Sequence, residues 1–472
     1  MKNSIADLWH FSLSPAGQHT LQEQLHDQIR DQILSGTIKP DIKMPSSRML
    51  ASRLGIGRNT VVYAYEQLVA EGYLETRKGA GTFSCHKVPD EFLNAGEPAY
   101  SSPLPSGNTA SSNLHSGMAA LDQFPHEIWT KYTNKAWRKV TKQQLHHDDP
   151  MGYYPLRQNI AEYLQASRNI KCNHEQIMIV SGLQQGLFIL SKSLLHSDDQ
   201  IILEDPGYYG LVASAQASGF PIHNLPIDTS GATLPKQTKG LLVTSPSRQY
   251  PHGYTMPHGR RAELLKWAYE TESLILEDDY DSEFRYSGRP LNSMQGLDGG
   301  KRVIYGGTFS KTIFPAFRLG YLVIPKHLIE PVLTFRKAID SYPGLVNQLS
   351  LHAFMESGEF ARHIRKLRKI HGRRQKTFIE LFTKHLGDLF ALLPSDGGLH
   401  LVATPHSTVL GKDTRWCELA HNAAIGAAPL SQCFRATSKK HGMLLGFADI
   451  PDIDLEERLK KFSNTIRSET DY

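Results

Sequence analysis

Residues 302–325, RVIYGGTFSKTIFPAFRLGYLVIP, decide the fold of most of this chain. The run predicts a buried strand, a turn of small residues that holds Ser310 and Lys311, and a second apolar strand that Arg318 opens. Further apolar runs of strand length occur along the chain, and helical patterns separate most of them; they lie at 176–180, 200–203, 240–244 and 273–277. This alternation is typical of an α/β domain with a mainly parallel sheet that helices cover.

The C-terminal part of the chain has a different pattern. A basic helix is predicted at 361–386, and strands are predicted near 398–403 and 442–448. These elements indicate a smaller C-terminal subdomain.

The bulk composition fits a soluble globular protein of two or three domains. The chain has 472 residues, 40% of them hydrophobic and 21% charged. No apolar run approaches the length of a membrane span, and no secretory signal opens the chain. The 4 cysteines are scattered without zinc spacing, which indicates reduced thiols and a cytoplasmic protein. A net charge of +5 does not by itself demand a polyanionic partner.

Lys311 is the first candidate for chemistry. A lysine in an apolar, glycine-rich frame can lose its charge by desolvation and act as an amine nucleophile. This chemistry forms a Schiff base with an aldehyde, and pyridoxal 5'-phosphate (PLP) is the usual aldehyde. Thr308, Ser310 and Arg318 are candidates for holding its phosphate.

The segment 273–284, SLILEDDYDSEF, supplies a second set of candidates. Strand alternation places Asp278 and Tyr280 on one face at the C-terminal end of a strand, where open α/β sheets bind ligands. A carboxylate beside the pyridine nitrogen keeps that nitrogen protonated, and a tyrosine hydroxyl can hydrogen-bond O3' of the ring. Taken alone, the segment fits a solvated acidic loop better.

Three further turns follow predicted strands. Leu183 and Gln184 open a helix whose free N–H groups can bind an anion, and Tyr208 can stack on a pyridine ring. The turn at 246–253, PSRQYPHG, brings Tyr250 to the O3' side. Taken alone, most such helix-opening turns are plain connections, and a lone tyrosine after a turn is more often a packing residue. Together, and in this order at strand ends, the candidates predict a PLP site.

The first 85 residues predict a winged helix-turn-helix. Leu21–Leu34 has helical spacing, a short helix at 48–54 follows the capping residues Ser46 and Ser47, and a third helix begins at Asn59 or Thr60. A hairpin over 73–84 follows. The third helix is expected to bury one apolar face, made of Val62, Tyr65, Leu68 and Val69.

This segment carries candidates for DNA recognition. In such a fold the N-terminal residues of the third helix, here Arg58, Asn59 and Thr60, lie nearest the bases. Arginine can pair with guanine and asparagine with adenine. Arg48, at the start of the second helix, is expected to approach the phosphates. At the wing, Lys78 is a further candidate, and Gly79 lets the tip come close to the DNA backbone. The alternative is a small interaction domain with a solvated basic face.

Residues 86–113 are rich in Pro, Ser, Gly and Asn, which predicts a flexible linker. The expected organisation is therefore a DNA-binding domain at 1–85, a linker at 86–113 and a second domain at 114–472.

The DNA-binding segment resembles the GntR-family winged helix over its full length. The matching motifs are PSSR (45–48), RNTV (58–61), AYEQL (64–68), EGYL (71–74) and GAGTF (79–83). Together they are highly specific, whereas PSSR alone is weak.

From about residue 114 to the end, the chain resembles the fold type I PLP enzymes of the aspartate aminotransferase class. The matching motifs are DPMGYYPLR (149–157), SGLQQGL (181–187), EDPGYYG (204–210), PSRQYPHG (246–253), EDDYDSEFRY (277–286) and GTFSKTIFPAFRLGY (307–321). The resemblance implies that Lys311 carries the Schiff base, Asp278 pairs with the ring nitrogen and Tyr280 with O3'. It assigns the phosphate to Thr308, Ser310, Arg318 and the amides of Leu183 and Gln184, ring stacking to Tyr208, and the partner subunit's phosphate to Tyr153.

The fusion of these two domains is similar to the MocR (GabR-like) subfamily of transcriptional regulators. It implies a regulator that binds a double-stranded DNA operator, a domain-swapped head-to-tail homodimer, and a small-molecule effector that is an amine, an amino acid or PLP itself. An aminotransferase with an appended DNA-binding domain, and a DNA-binding module on an inert scaffold, are the alternatives.

Two positions depart from the resemblance. Arg248 stands where family members commonly have histidine, and Leu444 stands where aminotransferases carry the arginine that binds the substrate carboxylate. Arg435, on a nearby loop, is a candidate effector contact, and an exposed structural arginine is an equal alternative.

Overall fold

The computed structural model describes residues 11–14, 19–86, 117–146, 149–236, 238–288, 292–407, 409, 411–436, 439–451 and 453–470. The chain divides into two units, Met1–Gly107 and Asn108–Tyr472. Apart from its first residue, the predicted linker lies outside the described residues. Across the described ranges, no helix is both long and apolar enough to cross a membrane.

The first unit is the predicted winged helix. Its elements are α1 (Leu21–Leu34), α2 (Ser47–Leu54), α3 (Arg58–Ala70) and the antiparallel hairpin of β1 (Leu74–Arg77) and β2 (Gly81–Ser84). The Ser46 hydroxyl accepts a hydrogen bond from the Met49 amide at 3.3 Å and caps α2, and Gly55 ends that helix in the left-handed conformation with φ 65°. Helix α3 begins one residue earlier than predicted because Gly57, rather than Arg58, takes the extended cap conformation.

One detail of the α3 prediction is wrong. The face that packs into the core is formed by Val61, Ala64 and Leu68, whereas Val62 is only half-buried. Residues 61, 64 and 68 follow the three-and-four spacing of a helical stripe, and residue 62 lies about 100° to its side.

The second unit is built on an eight-stranded sheet. Its strands are β3 (Ile177–Val180), β4 (Gln200–Asp205), β5 (Ile222–Asp228), β6 (Gly231–Ala232), β7 (Gly240–Thr244), β8 (Leu274–Asp279), β9 (Val303–Thr308) and β10 (Gly320–Val323), in the spatial order β3-β10-β9-β8-β7-β4-β5-β6. Strands β5, β4, β7, β8 and β9 are parallel, and β10 runs antiparallel to both β9 and β3. The mainly parallel sheet is therefore confirmed, with the turn that carries Lys311 reversing the chain between β9 and β10.

Helices cover this sheet. They are α4 (His126–Trp137), α5 (Lys142–Leu145), α6 (Tyr154–Arg168), α7 (Leu183–Leu194), α8 (Tyr209–Ser218), α9 (His258–Glu270), α10 (Met294–Asp298), α11 (Ile329–Ile339), α12 (Leu345–Glu356) and α13 (Glu359–Leu386). Strand β8 shows the predicted alternation, since Leu274 and Leu276 pack in one apolar cluster with Leu187 and Ile275 packs in another with Trp267.

The predicted C-terminal subdomain is also present. Its antiparallel sheet contains β11 (Phe390–Leu392), β12 (His400–Pro405), β13 (Ala427–Pro429) and β14 (Met443–Gly446), in the order β11-β12-β14-β13. Helices α14 (Asp413–Asn422) and α15 (Leu455–Thr470) complete it. Phe378 and Phe382 of α13 pack against Trp416 and Phe462 in its core.

Candidate cofactor site and DNA-binding surface

A cavity of about 670 Å³ lies at the C-terminal ends of the parallel strands. Every predicted cofactor residue except Tyr153 lines it, namely Leu183, Gln184, Tyr208, Tyr250, Asp278, Tyr280, Thr308, Ser310, Lys311 and Arg318. These residues come from the ends of five strands, which the sheet brings together at one edge.

Lys311 projects its amine into this cavity. The Lys311 Nζ donates a hydrogen bond to the Gly117 carbonyl oxygen at 2.7 Å. Burial lowers the pKa of Lys311, and the carboxylates of Asp281 and Asp278 partly oppose this effect. A lysine with a lowered pKa offers more of the neutral amine that attacks an aldehyde.

Asp278 is a buried carboxylate that forms no ion pair with a described residue. Its Oδ2 lies 3.5 Å from the Ser245 hydroxyl. Burial, together with the nearby carboxylates of Asp279, Glu204 and Asp281, raises the pKa of Asp278 to about 8. A protonated pyridine nitrogen beside it would supply the missing positive charge and hold it ionised.

Three tyrosines line the cavity next to Asp278. The buried Tyr280 hydroxyl has no hydrogen-bond partner among the described residues. The Tyr250 ring lies edge-on to the Tyr280 ring at 6.1 Å and to the Tyr208 ring at 5.7 Å. The cavity therefore has an aromatic wall, and the buried Tyr280 hydroxyl can donate a hydrogen bond to a bound ligand.

The far end of the cavity is suited to an anion. Gly182 precedes α7 with φ 147°, and a Cβ at this position would lie 3.6 Å from both terminal nitrogens of Arg318. The Thr308 hydroxyl donates to the Ser310 hydroxyl at 3.0 Å. The Arg318 guanidinium forms no hydrogen bond or ion pair with a described side chain. Two hydroxyls, a guanidinium and a helix N-terminus fit a phosphate group.

The residues present therefore fit PLP. The lysine amine, the unpaired carboxylate, the unpartnered phenol and the anion end all line one cavity.

In the first unit, the predicted base-contacting residues stand together and face water. Arg58 and Asn59 are exposed at the start of α3, and Thr60 is half-buried. The Arg58 Nε donates to the Ser47 hydroxyl at 3.4 Å, which places the N-terminus of α3 beside that of α2, where Arg48 is exposed.

At the hairpin tip, Lys78 and Gly79 are exposed. Arg77, by contrast, pairs with Asp41 and Glu75 and lies 4.4 Å from the Phe83 ring centre. Two carboxylates thus neutralise Arg77, whereas Lys78 carries its charge at the exposed tip.

Comparisons with known proteins agree with both halves of this description. Two family profiles match: bacterial regulatory proteins of the gntR family at residues 21–83, and aminotransferase class I and II at residues 115–423. The probable rhizopine catabolism regulatory protein MocR of Rhizobium meliloti is 35% identical over 471 residues, which cover 95% of this chain and 93% of that protein. This chain belongs to the MocR subfamily of GntR-type transcriptional regulators.

Other relatives of this MocR-type regulator span the same two domains or the second alone. The pyridoxine biosynthesis transcriptional regulator PdxR of Corynebacterium glutamicum is 32% identical over 470 residues, covering 98% of this chain and 99% of that protein. The solved multiple substrate aminotransferase of Thermococcus profundus superposes with a TM-score of 0.67 at 26% identity, covering 76% of this chain and 91% of that one. The chain is thus a DNA-binding transcriptional regulator whose aminotransferase-like domain binds PLP.

Two predicted residues lie outside the cavity. The Tyr153 hydroxyl accepts from Gln144 Nε2 at 3.1 Å, and its reach into a partner subunit stays a prediction. The Arg435 guanidinium donates to the Leu203 and Glu204 carbonyls at 3.0 and 2.8 Å and to Asn224 Oδ1 at 2.7 Å. The buried Nη1 of Arg435 has no hydrogen-bond partner among the described residues, so its role as an effector contact stays a prediction.

Several lining residues escaped sequence reasoning. Asp281, just after β8, lines the cavity and was not among the predicted site residues. The other residues come from the chain start of the second unit and from the C-terminal subdomain, namely Gly117, Met118, Leu399, His400, His421, Gln432 and Cys433. No local motif marks them, because they reach the cavity only when the C-terminal subdomain folds back over the sheet.

Arg248, one of the two residues that depart from the family pattern, helps to hold the C-terminal subdomain over the sheet. Its Nε lies 3.2 Å from Asp281 Oδ2, and its terminal nitrogens donate to the Ser395 hydroxyl at 2.9 Å and the His400 carbonyl at 2.8 Å. Arg248 therefore ties the cavity floor to the C-terminal subdomain.

Proposed function

We propose that this protein is a cytoplasmic transcription factor that holds PLP at Lys311 and senses a small molecule through the cavity. The observation that carries the proposal is the meeting of Lys311, Asp278 and Tyr280 in one cavity, in a chain that begins with a winged helix. A ligand that binds two domain arrangements with different affinity shifts the protein between them and so changes its affinity for DNA.

Within the cavity each side chain has a distinct task. Bound PLP supplies an aldehyde for covalent attachment and an electron-withdrawing ring. Lys311 would provide the attaching amine, Asp278 would hold the proton on the ring nitrogen, and the Tyr280 hydroxyl would donate to O3'. The Thr308 and Ser310 hydroxyls, Arg318, and the amides of Leu183 and Gln184 would hold the phosphate. Tyr208 would stack on the ring, and Tyr250 lines the cavity beside Tyr208.

On the DNA side, Arg58, Asn59 and Thr60 contact base edges of a double-stranded operator. Arg48 and Lys78 contact phosphates, and Gly79 lets the wing tip approach the backbone. All of these residues except the half-buried Thr60 are exposed, which supports this assignment.

The protein acts as a head-to-tail homodimer in which each DNA-binding domain reaches the partner's second domain through residues 86–113. Tyr153 then contacts the phosphate held by the partner. Deleting most of residues 86–113 tests this arrangement, and it should abolish the effector response. Unaltered operator binding and unaltered response would contradict the crossed dimer.

The sensing proposal is tested by two titrations that share one set of readouts. Cofactor-free protein is titrated with PLP, and cofactor-loaded protein is then titrated with amines and amino acids, while the visible absorption band and operator binding are followed. A response to PLP alone makes cofactor occupancy the signal, and a response in the second titration identifies a separate effector. A protein that gains no band with PLP, or whose DNA binding ignores both titrations, would refute the proposal.

The likeness to aminotransferases favours one alternative, a catalytic transaminase with a DNA-binding domain. Leu444 argues against it, because this side chain is fully buried beside Val402 and Leu430 and offers no clamp for a substrate carboxylate. We expect poor or absent multiple turnover, since orientation accounts for much of catalysis. Sustained keto-acid production at ordinary enzyme rates would establish the alternative.

A further inference from the structure

Helix α13 of the second domain has an exposed basic face that the cofactor site does not use. We infer that this face is a second DNA-binding surface, which contacts the phosphates of a duplex regardless of its base sequence. The inference rests on the DNA binding that the GntR-type domain brings to this chain, and it goes beyond the sensing function proposed above.

The positive charge of the protein is concentrated on this helix. The 28 residues of α13 include nine lysines and arginines and two glutamates. The whole chain has a formal net charge of +5, so the rest of the chain is slightly acidic. The winged helix over residues 19–86 is nearly balanced, with eight lysines and arginines against seven aspartates and glutamates. The strongest attraction for a polyanion is therefore expected at α13.

The exposed basic side chains of α13 form one stripe. They follow the spacing of three and four residues that aligns side chains along a helix. The members of the stripe are Arg362, Arg365, Lys366, Lys369, Arg373 and Lys376. They fall within an arc of about 100° and span about 21 Å at 1.5 Å per residue. The opposite face packs Leu367, Phe378 and Phe382 into the core, which fixes the stripe toward solvent.

Carboxylates of the helix itself stand at the two ends of the stripe. Arg362 pairs with Glu359, and Lys376 Nζ lies 4.0 Å from Glu380 Oε1. The central cations form no ion pair with a described residue, namely Arg365, Lys366 and Lys369. Cations three and four residues apart on a helix repel each other, so a polyanion on this face would relieve a repulsion within the free helix.

Duplex DNA complements the stripe better than other occupants do. It carries one negative charge per about 1.7 Å of its axis, so the stripe can meet several phosphates at once. A membrane surface also requires an apolar face for insertion, and that face of α13 is buried in the core. No aromatic side chain of α13 is exposed for stacking on unpaired bases. Two copies of the stripe would repel each other across a two-fold axis.

The first test removes the central charges from full-length, cofactor-loaded protein. One variant combines Arg365→Gln, Lys366→Gln and Lys369→Gln. The control combines Lys192→Gln, Lys266→Gln and Lys301→Gln, which remove the same charge from exposed positions elsewhere in the second domain. Fluorescence anisotropy measures binding to a random-sequence duplex of about 60 base pairs over a range of salt concentrations.

The stripe variant should bind this duplex about ten-fold more weakly at low salt, and the slope of log affinity against log salt should fall by about three, one for each lost phosphate contact. The control should change both values far less. A third variant, which exchanges lysine and arginine as Arg365→Lys, Lys366→Arg and Lys369→Arg, should bind like wild type. Equal losses in the stripe variant and the control, or no loss in either, would overturn the inference.

A measurement on the unaltered protein does not depend on how the variants fold. Lysines are acetylated with a limiting amount of reagent, with and without the same duplex, and mass spectrometry reads each position. DNA should protect Lys366 and Lys369, whereas Lys192 and Lys266 should react equally in both samples. Absence of protection at the stripe, or protection by phosphatidylglycerol vesicles and not by DNA, would overturn the inference.

The outcomes also separate this surface from the DNA contacts proposed for the winged helix. Arg58→Ala should change the preference between operator and scrambled DNA and leave the protection of Lys366 and Lys369 intact. A stripe variant without effect, beside an Arg58→Ala variant that loses preference, contradicts this inference alone. An Arg58→Ala variant that keeps its preference, in a protein whose stripe is protected, contradicts the winged-helix contacts alone.

Discussion

The winged helix and the aminotransferase-like domain hold their functional groups in opposite ways. Arg48, Arg58 and Asn59 are exposed to solvent on the short helices α2 and α3, whose ends are set by neighbouring residues in the sequence. Lys311 and Asp278 lie in a cavity that strands far apart in sequence assemble, and burial moves both of their pKa values. Binding to DNA requires exposed positive charges, whereas covalent attachment of PLP requires a lysine whose pKa is lowered by burial. We therefore expect substitutions in the two domains to have different effects.

The largest expected effect is in the second domain. Lys311→Ala should abolish the covalent attachment of PLP and its visible band, because no other lysine lines the described cavity. Lys326→Ala, at an exposed lysine of the same domain, is the control and should keep both. Mass spectrometry after borohydride reduction measures the adduct, and a full adduct on Lys311→Ala would show that another amine does this work.

The next largest effect is a loss of stability at low pH, which we expect in the second domain and not in the winged helix. His371 Nε2 accepts from the Ala120 amide at 3.1 Å, and burial, with Arg374 nearby, lowers the pKa of His371 to about 3 from an ordinary 6.5. Between pH 6.5 and 3, His371 therefore stays neutral in the folded domain but is protonated in the unfolded chain. The stability that neutral His371 contributes is complete above pH 6.5 and is lost as the pH falls toward 3.

His371→Gln isolates this single group. The difference in unfolding free energy between wild type and the variant should shrink by about 1.4 kcal/mol per pH unit below 6.5. Hydrogen exchange read by mass spectrometry follows each domain separately, and the winged helix should behave alike in both proteins. A difference that stays constant between pH 6.5 and 4 would contradict a neutral buried His371.

In the DNA-binding domain the expected effects are smaller and concern sequence preference. Arg58→Ala should cost about 1–3 kcal/mol on the preferred operator and relax preference at one base position. Arg48→Ala should weaken all sequences more evenly and reduce the salt dependence by about one phosphate contact. Binding titrations on matched and scrambled operators distinguish the two, and identical affinity and footprint for Arg58→Ala and wild type would refute the placement of α3 in the major groove.

The smallest effect is a local one. Ser46→Ala removes the α2 cap and should lower the stability of the winged helix by about 1 kcal/mol, whereas Ser46→Gly should cost only a few tenths. Thermal unfolding followed through hydrogen exchange of residues 21–83 measures both, and the second domain should not respond. Equal losses for the two variants would indicate that the hydroxyl does not act as a cap.

The same contrast explains what could be predicted from the sequence. Ser46, Gly55 and the spacing of α1 fix the winged helix locally, so its elements were predicted within a residue or so. The β8 alternation likewise predicted one face for Asp278 and Tyr280, and both residues line the same cavity. Strand β5 was missed because its sequence, IHNLPID, contains no apolar run.

Other parts of the site depend on long-range packing that no local pattern carries. Arg248, Asp281 and His400 meet only after the C-terminal subdomain closes over the sheet. The commitment of Arg435 to strand-end carbonyls is equally invisible in sequence. Residues that serve a partner subunit, as Tyr153 is expected to do, cannot be placed by one chain's own contacts.

The hydrogen bond between Lys311 and Gly117 has a consequence for signal transfer. Gly117 and Met118 line the cavity, and just beyond them the Ala120 and Leu121 amides are held by His371 and Asp449. These residues follow directly on the stretch that leads from the DNA-binding domain. When Lys311 Nζ is bonded covalently to PLP, it has fewer N–H groups to donate to the Gly117 carbonyl oxygen. Attachment of PLP and the hydrogen bond to Gly117 therefore depend on the same nitrogen atom. We therefore expect covalent attachment at Lys311 to change the hydrogen bonding of the main chain at Gly117.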